Sequence, residues 1–260
     1  MIPPYVDEQW LTAHPKAVLA DVRWYADGRS GRQAYLAGHL PGAVFVALET
    51  ALAGTASPAE GRHPMPDPEV FAEAMRALGI SDGDTVVAYD DDAGVNAARL
   101  VWMLRVTGHD AALLDGGLTR WSGPLSTDVP ARPRSAFTAQ PWPAELLADI
   151  DDLGDLLVDA RAGERYRGEV EPLDSRPGRI PGAQSIPCRE NVGPDGLLLP
   201  DDVLRERFGI VDRPWVSACG SGVTACQNLL VAEHLGLPPG RLYAGSYSQW
   251  SATDRPVETG

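Results

Sequence analysis

The chain carries one set of short segments twice, in the same order. Each half has an apolar run ending in Asp-x-Arg, a Pro-Gly-Ala turn, a Gly-Val-x-Ala segment, and a glycine turn that ends in tryptophan. The matched segments are residues 18–23 with 156–161, 38–43 with 178–183, 89–98 with 217–226, and 114–121 with 243–250. The separation of the partners is nearly constant, with a modest length change between the second and third matches. Four ordered matches predict two copies of one folded module.

Short apolar runs alternate with helical patterns inside each copy. In the first copy, residues 18–21 and 85–89 predict strands, and residues 68–78 and 96–107 predict helices. Alternation of this kind predicts an α/β fold in which each of two domains is a mostly parallel sheet flanked by helices. Ligands of such sheets bind beyond the carboxyl ends of the strands.

The domain boundaries follow from a change of composition in the middle of the chain. Residues 126–143 are rich in proline and alanine and have few apolar clusters, which is typical of a linker. We therefore expect an N-terminal domain over residues 1–125 and a C-terminal domain over residues 144–260.

Composition and charge exclude several classes of partner. Hydrophobic residues make up 44% and charged residues 22% of the chain, as in soluble globular proteins, and the net charge is −14. No Lys/Arg-rich run is present, so nucleic acid and anionic membranes are not expected partners. No apolar run approaches a membrane span, and the first residues lack a secretory signal pattern. We therefore expect a cytoplasmic protein.

The cysteines do not form a disulfide or zinc pattern. There are three of them, Cys188, Cys219 and Cys226, which is an odd number without metal-ligand spacing. A reducing compartment agrees with this usage. The sequence assigns no role to Cys188 or Cys226.

Cys219 begins the segment with the clearest chemistry, Cys-Gly-Ser-Gly-Val-Thr-Ala, which we call the cysteine loop (residues 219–225). It follows a predicted strand and precedes a predicted helix. Gly220 and Gly222 allow backbone N–H groups to converge on one point, and the helix start adds the positive end of its dipole. A sulfur held there is stabilised as its anion, which predicts that Cys219 is a nucleophile.

The ordered segments together resemble the rhodanese family of sulfurtransferases, in its tandem two-domain form. The resemblance rests on Asp-x-Arg at 21–23 and 159–161, Pro-Gly-Ala at 41–43 and 181–183, Leu-Asp-Gly-Gly at 114–117, and the cysteine loop. It implies that a cysteine of the second domain, here Cys219, accepts sulfur as a persulfide and passes it to a nucleophile, with no metal or organic cofactor. It also implies a catalytically silent first domain, and Asp91, which stands opposite Cys219 in the repeat, cannot be thiolated.

The neutral cysteine loop resembles that of family members that use 3-mercaptopyruvate, whereas members that prefer thiosulfate carry basic residues in the loop. Thiosulfate is a compact dianion whose desolvation cationic residues would offset. The expected function is therefore transfer of sulfane sulfur from 3-mercaptopyruvate to a thiol, such as thioredoxin or a low-molecular-weight thiol, or to cyanide. Thiosulfate:cyanide sulfurtransferase activity is the first alternative.

The resemblance also implies which side chains hold the donor. Arg165 aligns with a substrate-binding arginine of the family, and Arg176 matches a second one loosely. A guanidinium pairs with a carboxylate through two parallel hydrogen bonds, which suits the acid group of the donor. Both residues are therefore candidate substrate ligands.

Ser221 is a second candidate catalytic residue, because its hydroxyl can bond the keto oxygen or relay a proton. His39 matches a histidine that the family pairs with this serine and an aspartate. The aspartate is missing, since Gln33 occupies its position, and this places a Ser–His–Asp relay in doubt. The sequence gives His63 no role. The remaining expected substrate contacts are the loop residues Gly220, Gly222, Val223 and Thr224.

Two further alternatives belong to other functional classes. A cysteine-dependent phosphatase needs Cys-x5-Arg, but Ala225 occupies the arginine position and the loop has no other cation. A non-enzymatic binding module of this fold is opposed by the retention of Cys219 with both loop glycines.

Overall fold

The computed structural model describes all 260 residues, which divide into two compact units. The first unit contains Met1–Leu52, Pro66–Trp142 and Val192–Leu198; the second contains Ala53–Met65, Pro143–Asn191 and Leu199–Gly260. The segment Ala53–Met65, which comes from the first half of the sequence, thus belongs to the second unit. These residues are not part of the range 144–260 that the composition predicts for the second domain.

The first unit is built on a five-stranded parallel sheet with the strand order β1-β5-β4-β2-β3. Its strands are β1 (Tyr5–Val6), β2 (Val18–Asp21), β3 (Val44–Phe45), β4 (Val86–Tyr89) and β5 (Ala111–Leu114). Central strands β4 and β5 are buried throughout, as near-continuous apolar runs require.

Six helices accompany this sheet: α1 (Glu8–Ala13), α2 (Gly31–Ala37), α3 (Leu48–Ala51), α4 (Pro68–Ala77), α5 (Ala97–Val106) and α6 (Gly117–Arg120). The start of α4 has a common helix N-terminal pattern, an acidic N-cap residue followed by proline. Asp67 accepts a hydrogen bond from the Glu69 N–H at 2.8 Å, and Pro68 occupies the first helical position. The predicted helices over 68–78 and 96–107 are confirmed within a residue at each end.

The second unit repeats the arrangement. Its parallel sheet has the order β6-β10-β9-β7-β8, with strands β6 (Leu147–Ala148), β7 (Leu157–Asp159), β8 (Gln184–Ser185), β9 (Trp215–Ala218) and β10 (Gly240–Tyr243). Its helices are α7 (Gly163–Tyr166), α8 (Asp201–Arg207), α9 (Ala225–His234) and α10 (Ser246–Trp250). The predicted fold class, two modules each with a parallel sheet flanked by helices, is confirmed. No helix of either unit has the length and apolar character needed to cross a membrane.

An ion pair at the end of β7 ties the second module together. Asp159 binds the Arg161 guanidinium in a bidentate manner, with its shortest contact at 2.7 Å, and Arg161 also donates to the Gly178 carbonyl. Asp21 and Arg23 make the same bonds in the first unit, with the Gly38 carbonyl as the acceptor. The Asp-x-Arg segments therefore fix the chain that returns to the sheet.

Strand register corrects one position of the repeat. Asp21 pairs with Tyr89 in the first sheet, and Asp159 pairs with Ala218 in the second. The residues that follow those strands are therefore equivalent, so Asp90 corresponds to Cys219. The assignment of Asp91 to that position is wrong by one residue, because the first unit has one more residue between the strand and the loop glycine.

Residues 126–143 contain no helix or strand, but they are fastened to the first unit. The Arg132 guanidinium donates to the Gly79 carbonyl at 2.9 Å, and the Thr138 hydroxyl donates to Asp82 at 2.6 Å. Phe137 is buried and stacks on His109 at 4.5 Å. The segment with linker-like composition therefore packs against the first unit.

Candidate active site

The cysteine loop connects β9 to α9 at the carboxyl edge of the second sheet. Cys219 is the first residue after β9 and is 1% exposed, and α9 begins at Ala225. The strand end, the glycine turn and the helix start occur where the sequence predicts them. Cys219 therefore lies at the edge at which parallel sheets bind their ligands.

The first turn of α10 holds the loop backbone. The Tyr247 N–H donates to the Cys219 carbonyl at 3.0 Å, and the Ser248 N–H donates to the Gly220 carbonyl at 2.8 Å. These two bonds fix the position of the loop backbone at Cys219 and Gly220.

Gly222 brings a backbone N–H group to the nucleophile. Its N–H lies 3.1 Å from Cys219 Sγ, within hydrogen-bonding distance for sulfur. Its φ of +74° is in the left-handed region, and a Cβ here would lie 2.4 Å from the Ala244 carbonyl oxygen. Both the conformation and the close approach require glycine.

Five more N–H groups of the cysteine loop have no protein acceptor. They belong to Gly220, Ser221, Val223, Thr224 and Ala225, whereas the Val223 and Thr224 carbonyls accept bonds from the start of α9. Unpaired N–H groups at a helix start favour an anion. These donors support the expected contacts of the loop with substrate.

In the equivalent loop of the first unit, backbone N–H groups bind the side chain of Asp90. Its buried carboxylate accepts four backbone N–H bonds at 2.8–2.9 Å, from Asp92, Gly94, Asn96 and Ala97. Burial raises the pKa of Asp90, and the four N–H bonds oppose that shift. A loop of this design therefore binds a carboxylate, and in the first unit that carboxylate is its own.

Ser246 supports Cys219 from an unusual conformation. Its φ of +51° is left-handed, a region rarely used by residues with a side chain, and the equivalent position of the first unit is Gly117 with φ +50°. The Ser246 hydroxyl accepts the Cys219 N–H at 3.1 Å and donates to the Tyr243 carbonyl at 2.7 Å. These two bonds explain a serine where glycine would be less strained.

Replacing Ser246 by alanine is expected to destabilise the protein by about 1–3 kcal/mol, because two buried polar groups lose their partner. Ser246→Gly should recover about 1 kcal/mol of that loss by relieving the left-handed strain. Urea unfolding of the two variants measures both values. If Ser246→Gly is the less stable of the two, strain at this position is unimportant.

The histidine that meets the loop serine comes from the segment Ala53–Met65. His63 Nδ1 lies 2.8 Å from Ser221 Oγ, and both side chains are buried. Gly61 holds this segment close to α10, since a Cβ at Gly61 would lie 2.6 Å from the Gly245 carbonyl oxygen. A hydroxyl and an imidazole in contact beside Cys219 can relay a proton.

His39 has a structural position instead. It is fully buried in the first unit and stacks on Tyr35, with Nδ1 2.8 Å from the Tyr35 carbonyl and Nε2 3.2 Å from the Asp128 carbonyl. Gln33 is an exposed residue of α2. The expected pairing of His39 with Ser221 is therefore corrected to His63.

Arg165, on α7, lies beside the cysteine loop in a cluster of charges. Its Nη2 donates to Glu171 at 2.6 Å and to Asp174 at 3.0 Å, and Arg62 forms an ion pair with the other oxygen of Asp174. Burial raises the pKa of Asp174, although Arg62 and Arg165 lower it. For Glu171, burial is outweighed by the Arg165 bond and charge, so its pKa lies below the usual range.

Arg176 does not join this cluster. Its guanidinium donates to three backbone carbonyls, those of Ser251 at 3.0 Å, Arg255 at 2.9 Å and Trp250 at 3.2 Å. These bonds fasten the chain after α10. The expectation that Arg176 binds substrate is therefore corrected to a structural role.

The sequence reasoning missed Arg62 and His63, although one signal was available. The first copy of the repeat is longer than the second between the second and third matched segments. The extra length contains Gly-Arg-His-Pro at 61–64, which has no counterpart in the second copy. An insertion that carries a cation and an imidazole is a candidate functional segment, but only the folded structure shows what it contacts.

The side chains around Cys219 suit thiol chemistry. A buried thiol, loop N–H donors, a hydroxyl–imidazole pair and two guanidinium groups lie in one region of the second unit. No group of three or more His, Cys, Asp or Glu side chains is placed to hold a metal ion. The arrangement can bind an anionic molecule next to Cys219, whose sulfur can then attack it.

Comparison with known proteins gives a family match over most of the chain. A model of the rhodanese-like domain matches residues 8–124 and 143–253. The crystal structure of the 3-mercaptopyruvate sulfotransferase SseA from Escherichia coli superimposes with a TM-score of 0.82 at 34% identity, covering 95% of this chain and 99% of that one.

Two relatives differ in the donor that their names give. A provisionally assigned 3-mercaptopyruvate sulfurtransferase from Pseudomonas aeruginosa is 42% identical over 95% of this chain and 94% of its own length. A provisionally assigned thiosulfate sulfurtransferase from Mycobacterium tuberculosis is 37% identical over 95% of this chain and 92% of its own length.

Proposed function

Because this chain belongs to the rhodanese family and is a sulfurtransferase, we propose that it takes sulfur from 3-mercaptopyruvate and carries it as a persulfide on Cys219. The observation that carries the proposal is the 2.8 Å contact between Ser221 Oγ and His63 Nδ1, in a loop without charged side chains. An α-keto donor needs such a hydroxyl, because its oxygen becomes negative as sulfur leaves carbon. Thiosulfate releases sulfite and has no such requirement.

Binding of the donor begins with its carboxylate. Arg165 is 18% exposed, so its guanidinium is reachable while remaining partly desolvated, which strengthens pairing with an anion. With a proton on Nδ1, His63 donates to Ser221 and leaves the hydroxyl hydrogen free for the keto oxygen. The donor sulfur then faces Cys219.

Sulfur transfer follows as two displacements. The Cys219 thiolate attacks the donor sulfur; an S–S bond forms and the C–S bond breaks, its electron pair producing the enolate of pyruvate. Ser221 stabilises the enolate oxygen, and protonation on carbon through the Ser221–His63 pair gives pyruvate. A second thiolate then attacks the outer sulfur and Cys219 leaves as thiolate, stabilised by the Gly222 N–H.

The acceptor in this proposal is a thiol, either of a small molecule or of a protein such as thioredoxin, and cyanide replaces it in an assay. Any of these supplies the nucleophile that the second displacement needs. The reaction requires no metal or organic cofactor, since cysteine sulfur carries the transferred atom.

The test compares 3-mercaptopyruvate with thiosulfate on the wild type and on Ser221→Ala. We expect kcat/KM for mercaptopyruvate to exceed that for thiosulfate, and Ser221→Ala to lower it roughly 10²-fold. Thiosulfate turnover should change only a few-fold, and it serves as the internal control for loop integrity. A wild-type preference for thiosulfate would overturn the proposed donor, and equal losses for both donors would reduce Ser221 to a loop-shaping residue.

Thiosulfate is the second candidate donor, and one observation favours it. Two guanidinium groups, those of Arg62 and Arg165, approach Gly220, and cations of this kind attract a dianion. The name of the relative from Mycobacterium tuberculosis gives thiosulfate as the donor.

A further inference from the structure

Unpaired nitrogens of two guanidinium groups converge next to the nucleophile. A Cβ on Gly220 would lie 2.9 Å from Arg62 Nη2 and 3.3 Å from Arg165 Nη1. These two nitrogens donate to no protein acceptor, although the other end of each guanidinium is paired with a carboxylate. Gly220 follows Cys219 directly, so the two donors are placed for an anionic part of the sulfur donor.

Asp174 joins the two guanidinium groups. One of its oxygens pairs with Arg62 and the other accepts Arg165 Nη2 at 3.0 Å, while its side chain is only 2% exposed. Glu171, also 2% exposed, binds Arg165 on its other side. Because both carboxylates are buried, water screens their charge weakly.

The charges of this cluster balance. Three guanidinium groups face three carboxylates, in a set formed by Arg62, Arg161, Arg165, Asp159, Glu171 and Asp174. The Arg161–Asp159 pair belongs to the ties of the fold and is nearly inaccessible, at 1% and 5% side-chain exposure. Asp174 is the carboxylate that contacts both of the arginines with unpaired donors.

We infer that Asp174 determines the charge of the sulfur donor: by cancelling one positive charge of the Arg62–Arg165 pair, it makes the site accept a monoanionic α-keto thiol and reject a dianion such as thiosulfate. The inference rests on the proposed function and names the residue that sets donor selection at that site. It places the selection outside the cysteine loop, in a carboxylate that holds both guanidinium groups.

The physical reason is that a buried negative charge acts on each charge of the donor. A dianion meets the Asp174 carboxylate with twice the electrostatic energy of a monoanion at the same distance. By the same arithmetic each guanidinium group attracts a dianion twice as strongly as a monoanion, and the Asp174 carboxylate offsets one of these two attractions. Removing the negative charge should therefore benefit thiosulfate more than mercaptopyruvate.

The experiment measures kcat/KM for both donors in Asp174→Asn. Asparagine is nearly isosteric and still accepts one guanidinium hydrogen bond, so mainly the charge changes. We expect the ratio of thiosulfate to mercaptopyruvate kcat/KM to rise roughly tenfold or more, mostly through a lower KM for thiosulfate. Arg62→Gln, which adds one net negative charge to the cluster, should move the ratio in the opposite direction.

Two variants control for effects other than charge at this place. Asp174→Glu keeps the charge and should leave the ratio near the wild-type value even if total activity falls. Asp152→Asn removes a carboxylate that pairs with Arg241 at the start of β10, opposite the carboxyl edge of the sheet, and should also leave the ratio unchanged. Asp152→Asn thus measures how far the ratio changes when the net charge of the protein changes by one at a position away from the site.

The outcomes separate this inference from the proposed function. An unchanged ratio in Asp174→Asn, or an equal shift in Asp174→Glu or Asp152→Asn, overturns the role of Asp174. A wild-type preference for thiosulfate overturns the proposed donor, whereas the role of Asp174 is still decided by the change in the ratio. If Asp174→Asn does not fold, an unchanged ratio in Arg62→Gln overturns the charge argument by itself.

Discussion

Replacing Cys219 by serine is expected to abolish sulfur transfer from both donors, lowering kcat/KM by a factor of roughly 10³ or more. A hydroxyl is a weak nucleophile at neutral pH and cannot form the S–S bond that carries the transferred atom. The Gly222 N–H, whose nitrogen lies 3.1 Å from Cys219 Sγ, can stabilise the negative charge on sulfur when Cys219 acts as nucleophile or leaving group. Thiocyanate formation in the presence of cyanide measures the loss, and mass spectrometry should show an added sulfur atom on the wild type only.

The other two cysteines provide matched controls. Cys188 and Cys226 are also buried, and Cys226 Sγ lies 3.4 Å from the Gly222 carbonyl. Cys226→Ser and Cys188→Ser should retain turnover and persulfide formation within a few-fold. Full activity in Cys219→Ser would contradict the persulfide mechanism, and loss of the persulfide in Cys226→Ser alone would assign the nucleophile to Cys226 at the start of α9.

Gly222→Ala is expected to lower kcat/KM by at least roughly 10²-fold and the free energy of unfolding by about 2–5 kcal/mol. The added methyl group would lie 2.4 Å from the Ala244 carbonyl oxygen, so the loop must shift and carry its N–H away from Cys219 Sγ. Alanine also adopts the left-handed conformation poorly. Steady-state kinetics and urea unfolding measure the two effects.

Gly182→Ala separates the conformational cost from the steric one. Gly182 has a similar φ of +78°, but a Cβ there meets no atom within 4 Å. It should lose only about 1–2 kcal/mol of stability and keep its activity. Equal behaviour of the two variants would show that the approach to Ala244 is unimportant.

The fold could be predicted from the sequence because its signals are local and occur twice. Apolar runs of strand length and the Asp67–Pro68 helix start require only neighbouring residues, and the repeat supplies a second copy for comparison. The same reasoning located Cys219 and its glycines, since a strand, a turn and a helix in succession define the loop. Arg165 followed from the family resemblance.

The rest of the site depends on contacts between residues far apart in the chain. His63 and Ser221 are 158 positions apart, and Arg62 and Asp174 are 112 apart, so no periodicity connects them. The mistaken pairing of His39 with Ser221 followed a family pattern, and packing decided between the two histidines.

The same limitation explains the error of one residue at Asp91. Sequence matching aligned the loop by its glycine, whereas the sheet aligns it by the strand that precedes it, and these references differ by an inserted residue. Strand register is a long-range property, because it pairs β4 with β2. Asp90, which has the equivalent position, is the residue whose carboxylate lies within the loop.

The Asp90 carboxylate also shows a difference between the two units in how their loops bind an anion. In the first unit the anion is covalently tethered, so its local concentration is fixed and it never dissociates. In the second unit the N–H groups of the equivalent loop would, by the proposed mechanism, bind and release a sulfur donor in each catalytic cycle. An Asp90→Cys substitution would therefore leave four backbone N–H groups without the carboxylate that accepts their hydrogen bonds. The loop of the first unit is thus permanently filled by its own side chain, whereas the loop of the second unit keeps N–H groups for a molecule from solution.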